Sequence, residues 1–254
     1  MHGVRYGAMT RGRYSVAAAA PGSDPRRMLQ PEIMEYYRQG GERDRLSTGA
    51  GRLEFVRTWD VLSRSLPVAP ARVLDVGGAT GTYAGPLADA GYEVHVVDPV
   101  PEHVADAAAR PGVTAEVGDA RALSAADGSV DAVLLLGPLY HLPEADDRLT
   151  AWREAARVVR PGGVVVAASI SRFASMLDGF VNGHFDDARF RPMVDRAMAD
   201  GVHRNVTSEG PRLTEILASD ELTGLLLEMM RRIEDEPSML GVGSHLLTVA
   251  LRSA

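Results

Sequence analysis

The chain has 254 residues, of which 45% are apolar and 24% charged, and its net charge is −7. This balance predicts one globular α/β domain with a large buried core and argues against nucleic acid as a partner. The chain contains no cysteine and no lysine, which excludes disulfides, thiolate metal sites, Schiff-base chemistry and the phosphate-binding Gly-Lys-Ser/Thr loop. Because no apolar stretch is long enough to span a bilayer, we expect a cytoplasmic protein without a membrane partner.

The first part of the chain divides into two segments of different character. Residues 1–27 show no hydrophobic period and are predicted to form a disordered extension. Residues 28–70 show helical spacings and end in a proline-containing stretch, so we expect helices there. The remainder, residues 71–254, is predicted to be the main globular unit.

A strand that runs into a glycine-rich turn is the most informative local pattern. Arg72–Val76 is a predicted strand, and the turn at residues 77–81 precedes a predicted helix over Tyr83–Ala90. A second predicted strand, Glu93–Val97, leads directly to Asp98. Glycines let backbone N–H groups approach a ligand closely, and an acid at that place can accept both hydroxyls of a ribose. The pattern therefore predicts a nucleoside-binding βαβ unit, although Asp98 could instead cap the helix that begins at Pro101.

The rest of the chain alternates between predicted strands and helices. Such alternation is typical of a parallel sheet that is covered by helices on both faces. We expect helices over Arg148–Val159, within 173–204 and over Asp220–Glu234. The further predicted strands are Val113–Val117, Ala132–Leu136, Val164–Ser169 and Leu246–Leu251.

Four ordered motifs resemble those of the class I S-adenosylmethionine-dependent methyltransferases. The family reads Asp/Glu-x-Gly-x-Gly-x-Gly where this chain has Asp75, Gly77, Ala79 and Gly81, so an alanine replaces the middle glycine. The three later motifs are Asp98 after the second strand, Gly118-Asp119-Ala120 after the third and Leu136-Gly137 after the fourth. In addition, Arg160-Pro161-Gly162-Gly163 matches the turn before the family's fifth strand.

This resemblance implies a fold and a cofactor. The fold would be a Rossmann-like, seven-stranded or six-stranded, mostly parallel sheet with helices on both faces and an N-terminal helical lid. Strand six is not visible, because residues 205–217 are polar and broken. The cofactor would be S-adenosyl-L-methionine, with Asp98 on its ribose and Asp119 and Ala120 on its adenine. The implied cofactor-binding residues are Asp75, Gly77, Gly78, Ala79, Gly81, Asp98, Pro99, Asp119, Ala120, Leu136, Gly137 and Tyr37.

The resemblance also indicates which residues would cover the cofactor and act on the acceptor. Residues 28–70 would form the lid, since they carry aromatic and arginine side chains suited to stacking or to pairing with a carboxylate. The alternative is that these helices only fill a face of the sheet. Tyr140 and His141 are the candidate catalytic residues, although His141 could be a helix-entry residue without chemistry. The lid side chains in question are Tyr36, Tyr37, Arg45 and Arg57.

The expected function is methyl transfer to a small-molecule acceptor, whose attacking atom could be oxygen, nitrogen or carbon. A base is required only if that acceptor must lose a proton early. The histidines lack metal-ligand spacing, so no metal is expected. One alternative is a nucleoside-binding protein without turnover. Another is an NAD-dependent oxidoreductase, but the turn fails the Gly-x-Gly-x-x-Gly pattern at its third and sixth places.

Overall fold

The structure, a computed structural model, describes residues 46, 49–200, 219, 221, 224, 225, 228 and 245–253. Residues 1–45 and 205–217, which include Tyr36, Tyr37, Arg45 and the polar stretch expected to contain strand six, lie outside the described residues. The strands are β1 (Arg72–Val76), β2 (Glu93–Asp98), β3 (Val113–Val117), β4 (Val130–Leu135), β5 (Val159–Ile170) and β6 (His245–Leu251). The α-helices are α1 (Gly49–Ser65), α2 (Ala84–Asp89), α3 (Pro101–Ala108), α4 (Ala145–Val158), α5 (Ala174–Asn182) and α6 (Phe190–Asp200).

The six strands form one sheet in the order β3-β2-β1-β4-β5-β6. All neighbouring pairs are parallel except β5 and β6, which are antiparallel. The prediction of a Rossmann-like, mostly parallel sheet is confirmed. The chain order reverses between β1 and β4, and in open sheets of this kind ligands bind at the carboxyl ends of the strands beside such a reversal.

Alternate residues of the central strands face two separate cores. Val133 and Leu135 of β4 belong to a cluster that includes Ala151 of α4, whereas Leu134 of the same strand packs in a cluster with Leu87 of α2. All five side chains are almost completely buried. Side chains in a strand alternate between faces, so an unbroken apolar strand requires cover on both sides. Helices on both faces of the sheet supply that cover.

The turn predicted at residues 160–163 is part of the observed strand β5. Val130 pairs with Val159, but Ala132 pairs with Val164, so four residues of β5 stand opposite the single residue Asp131. This bulge holds Gly162 at φ +74°, a conformation that favours glycine. The motif lies where it was expected, but it interrupts the ladder rather than preceding the strand.

A third apolar cluster lies in the helices that follow β5 in the chain. Helices α5 and α6 lie within the helical stretch predicted for 173–204, and Gly183 ends α5 at φ +73°. Met176, Phe180, Phe190 and Met193 pack together there. No helix in the described ranges has the length and apolar character that a membrane span requires.

Candidate functional site

A cleft opens at the carboxyl ends of β1 to β4. Its empty volume, including the open mouth, is about 900 Å³. Of the cofactor-binding and catalytic residues proposed from the sequence, all but Tyr37 and Gly81 line it. Tyr37 lies outside the described residues, and Gly81 closes the turn behind the cleft. The lining includes Asp75, Gly77, Gly78, Ala79, Asp98, Pro99, Asp119, Ala120, Leu136, Gly137, Tyr140 and His141.

The glycine turn is packed too closely to admit larger residues. The Gly77 N–H donates to the Val97 carbonyl at 2.7 Å, which ties the turn to β2. A Cβ at Gly77 would lie 2.8 Å from Cδ of Pro138, and one at Gly78 would lie 2.6 Å from Oδ2 of Asp75. The cradle therefore presents bare backbone to the cleft. Such backbone can approach a ligand directly.

Ala79 occupies the place of the family's middle glycine. Its φ is +47°, and no other non-glycine residue in the described part of the chain has a positive φ. This left-handed conformation is sterically unfavourable for a residue with a Cβ. Ala79 thus adopts the backbone shape that the glycine motif requires, at the expense of local strain.

Asp75 is a buried carboxylate without a hydrogen-bond partner in the part of the chain that the structure describes. Only 1% of its surface is exposed, and neither side-chain oxygen accepts a hydrogen bond from any residue that the structure describes. Burial, and to a lesser degree the negative charge of Asp98, raises the pKa of Asp75 to about 7. Buried polar groups are normally hydrogen-bonded, so this carboxylate is suited to a cationic ligand group.

Asp98 joins the glycine turn to the start of α3. Its Oδ2 accepts the Ala79 N–H at 2.9 Å, and its Oδ1 accepts the Val100 N–H at 2.9 Å. Nδ1 of His103 lies 3.2 Å from the same Oδ1. Asp98 therefore lies in the cleft and binds the residue that precedes α3, but the capping role considered for it is not observed, because Val100 is the N-cap residue and no described side chain caps that helix start. The contact with His103 was not anticipated, because the spacing of a histidine from an acid on a neighbouring element carries no local signal.

Asp119 likewise combines a turn with a place in the cleft. Its backbone carbonyl accepts the Ala122 N–H, and its carboxylate binds Arg121 through Nε and through NH2, the latter at 2.6 Å. Arg121 also reaches Asp147 in the first turn of α4 at 2.8 Å. Hydrogen bonding to Asp119 raises the pKa of Arg121 above its usual value. Arg121, which sequence reasoning missed, thus connects the third motif to a helix.

Tyr140 and His141 form one wall of the cleft, on and just after a short 3-10 turn (Pro138–Tyr140). Their rings meet edge to face with centroids 4.6 Å apart. The Tyr140 hydroxyl donates to the Leu136 carbonyl at 3.1 Å, so its proton is engaged in holding the turn. His141 is the titratable group of this wall, and it is better suited than Tyr140 to accept a proton. No cluster of three potential metal ligands occurs among the described residues.

The described N-terminal residues reach the cleft at one point. Leu46 lines it and packs in the cluster that contains Leu62 and Tyr83, and Phe55 of α1 stacks on Tyr83 with centroids 5.2 Å apart. Arg57, suggested above for a lid, instead pairs with Asp60 on the exposed side of α1. In this arrangement α1 turns its aromatic face to the core and its charged face to solvent, so Arg57 does not line the cleft. The lid itself stays a prediction.

The fold and the cleft define an α/β protein with a Rossmann-like sheet and an open cleft at the carboxyl ends of its strands. A family model described as a methyltransferase domain matches residues 73–163. An uncharacterized methyltransferase of Mycobacterium bovis is 41% identical over 99 residues, which cover 39% of each protein, so the chain spans about two fifths of that relative. A ubiquinone biosynthesis O-methyltransferase of Xanthomonas oryzae pv. oryzae is 30% identical over 178 residues, which cover 68% of this chain and 73% of that protein.

A solved structure agrees with these relatives on the fold. A SAM-dependent methyltransferase from Thermotoga maritima superposes with a TM-score of 0.50 at 17% identity, over 87% of this chain and 98% of that one. The chain belongs to the class I S-adenosylmethionine-dependent methyltransferases.

Proposed function

We propose that this chain binds S-adenosyl-L-methionine in the cleft and catalyses transfer of its methyl group to a small molecule. One observation carries the proposal: the Asp75 carboxylate is buried, lacks a hydrogen-bond donor among the described residues and lies beside a bare glycine cradle. The methionine portion of the cofactor carries an ammonium group that would satisfy this carboxylate. The net charge of −7 favours a small-molecule acceptor over nucleic acid.

In this proposal the other motifs bind the remaining portions of the cofactor. Asp98 accepts ribose hydroxyls, Asp119 accepts from the adenine amino group, and the Ala120 N–H faces a ring nitrogen. The backbone of the glycine turn and of Leu136–Gly137 borders the methionine portion. A Cβ at Gly137 would lie 2.8 Å from the Gly77 carbonyl oxygen, so both sides of this channel depend on glycine.

The cofactor supplies a methyl group that is already activated by its bond to a sulfonium. The chain therefore contributes mainly alignment of the acceptor and exclusion of water. The O-methyltransferase relative favours an acceptor oxygen, and for a hydroxyl acceptor His141 would take the proton that leaves. Tyr140 fixes the edge of the same wall.

Calorimetry separates this proposal from its competitors. We expect S-adenosylhomocysteine to bind the full chain and to raise its melting temperature, because a ligand of the folded state stabilises it by mass action. Asp98→Ala should weaken binding by about 1–3 kcal/mol, the usual size for lost hydrogen bonds to a charged group. Asp127→Ala, which removes a carboxylate with 79% of its side-chain surface exposed, should bind like the wild type.

The outcomes assign the function. Absence of both binding heat and a melting shift at saturating S-adenosylhomocysteine overturns the cofactor assignment, and binding of NAD instead would favour an oxidoreductase. Turnover is measured as S-adenosylhomocysteine formed from S-adenosylmethionine in the presence of panels of phenols, amines and carbon nucleophiles. Tight binding without turnover on any panel would leave the nucleoside-binding protein as the better description.

A further inference from the structure

A buried histidine lies behind the carboxylate of Asp98. His103 is on the first turn of α3, lines the cleft and has 5% of its surface exposed. Its Nδ1 is 3.2 Å from Oδ1 of Asp98, and the two side chains are 7% and 6% exposed. Water has little access to this contact, so the hydrogen bond acts in a medium of low polarity, where it is strong.

The donors to Asp98 are of two kinds. Ala79 and Val100 donate through their backbone N–H groups, one to each oxygen. Among the described residues, His103 is the side chain that contacts this carboxylate by a hydrogen bond. Since the carboxylate already accepts at both oxygens, Nδ1 of His103 acts as the donor of their shared hydrogen bond.

The surroundings of Asp98 make this third donor consequential. The carboxylate lines the cleft together with Asp75. Each of its oxygens already accepts a backbone N–H, and the donor from α3 adds a side-chain contact to Oδ1. Together these contacts hold the carboxylate of Asp98 in one orientation at the edge of the cleft.

We propose that His103 is a positioning residue, which orients Asp98 through the Nδ1–Oδ1 hydrogen bond so that the carboxylate can accept ribose hydroxyls. The inference rests on the proposed function, because it concerns the same nucleoside site. It adds to that function a residue outside the four motifs, which contributes to the selection of ligands that carry a ribose diol.

The test combines a ligand change with a residue change. Affinities of S-adenosylhomocysteine and of its 2′,3′-dideoxy analogue are measured by calorimetry on the full-length wild type and on His103→Leu. We expect the wild type to prefer the diol, and His103→Leu to reduce that preference by about tenfold, which corresponds to about 1.4 kcal/mol. His95→Leu is the matched control, since His95 contacts Thr114 and Glu116 on the neighbouring strand instead of the cleft.

A pair of conservative variants distinguishes positioning from packing. The amide nitrogen of Asn occupies nearly the place of Nδ1, whereas that of Gln lies one bond farther out. His103→Asn should keep the diol preference within about twofold, and His103→Gln should lose most of it, as expected for a bond that requires a donor near 3 Å. This comparison also decides the matter if His103→Leu does not fold.

Failure of the proposed function and failure of the role of His103 give different results in this test. A wild type that does not bind S-adenosylhomocysteine overturns the proposed function and this inference with it. A wild type that prefers the diol, together with an unchanged preference in His103→Leu or equal preferences in the Asn and Gln variants, overturns the role of His103 alone.

Discussion

Asp75 and Asp131, which lie at opposite ends of the sheet, have opposite environments. At the carboxyl end, Asp75 is fully buried and lacks a hydrogen-bond donor among the described residues. At the amino end, Asp131 accepts the Arg72 N–H at 2.8 Å and Nε of Arg160 at 2.5 Å. Burial acts to raise the pKa of Asp131, but the hydrogen bonds from Arg160 and Arg72 outweigh it and lower that pKa. Of these two carboxylates, the one at the amino end is satisfied by the fold and the one in the cleft is not satisfied by any described residue.

The backbone shows the same division. Ala79 holds a left-handed φ of +47° at the cleft, whereas the positive φ at the amino-end bulge belongs to Gly162. Unpaired charge and backbone strain both reduce stability, and they persist where a ligand can make use of them. The comparison teaches that the carboxyl end is organised for binding and the amino end for stability.

The largest expected effect is on the pH dependence of the free energy of unfolding, which Asp75→Asn should abolish in the ligand-free protein. The pKa of Asp75 is raised from 3.8 to about 7 in the folded state, so the folded state holds this proton more tightly than the unfolded state. The contribution to stability is fully present below about pH 4 and is lost as the pH rises through 7, by up to about 4 kcal/mol. Urea unfolding at pH 5 and pH 8 should show about 3 kcal/mol of this loss in the wild type and little of it in Asp75→Asn. Parallel pH dependence in the two proteins would contradict the unpaired state of Asp75.

Two glycine-to-alanine substitutions, one at each end of the sheet, test whether the two ends differ in function. Both glycines are tightly packed. A Cβ at Gly118 would lie 2.6 Å from Cγ1 of Val97, and one at Gly163 would lie 2.7 Å from the Asp131 carbonyl oxygen. Each substitution should destabilise the fold by about 1–3 kcal/mol through overpacking. Only Gly118→Ala should also weaken S-adenosylhomocysteine binding in calorimetry. If Gly163→Ala weakens binding as much, the two ends are not functionally distinct.

Asp131→Asn should reveal the opposite pH dependence to that of Asp75. Because the folded-state pKa of Asp131 is lowered, its contribution is present above the ordinary pKa and is lost as the pH falls through the lowered value. Because 46% of the Arg160 side chain is exposed, Asp131→Asn should lower the free energy of unfolding at pH 7 by only about 1 kcal/mol. Urea unfolding at pH 7 and pH 3 measures it, and affinity for S-adenosylhomocysteine should stay unchanged. A larger deficit at pH 3 than at pH 7 would refute the pairing.

Ala79→Gly should give the smallest change in stability, and it should stabilise the fold, whereas most substitutions destabilise it. Glycine adopts a φ of +47° without a Cβ clash, so we expect stabilisation by about 0.5–1 kcal/mol in thermal unfolding. Ala105→Gly, on the exposed side of α3, is the control and should destabilise by about 1 kcal/mol. If both substitutions destabilise equally, Ala79 is not strained and the backbone part of the comparison fails.

Much of the fold could be predicted from local patterns. The bounds of β1 and β3 agree with the sequence prediction, because a buried strand between helices needs a short apolar run with turn residues on either side. The cleft position of Asp98 was predictable as well, since the end of β2 meets the end of β1 in any parallel sheet of this order. The bulge in β5 was not, because it exists only through the pairing of β5 with β4.

The amino-acid sequence by itself determined the order of strands and helices, the glycine turn and the acids that follow the strands, all of which depend on neighbours along the chain. The tertiary structure decided the partners of those acids that lie beyond the adjoining turns. It left Asp75 without a donor among the described residues and brought His103 of α3 to Asp98 and Arg121 to Asp119 and Asp147. Side-chain partners and desolvation depend on which elements pack together, and no local pattern records that.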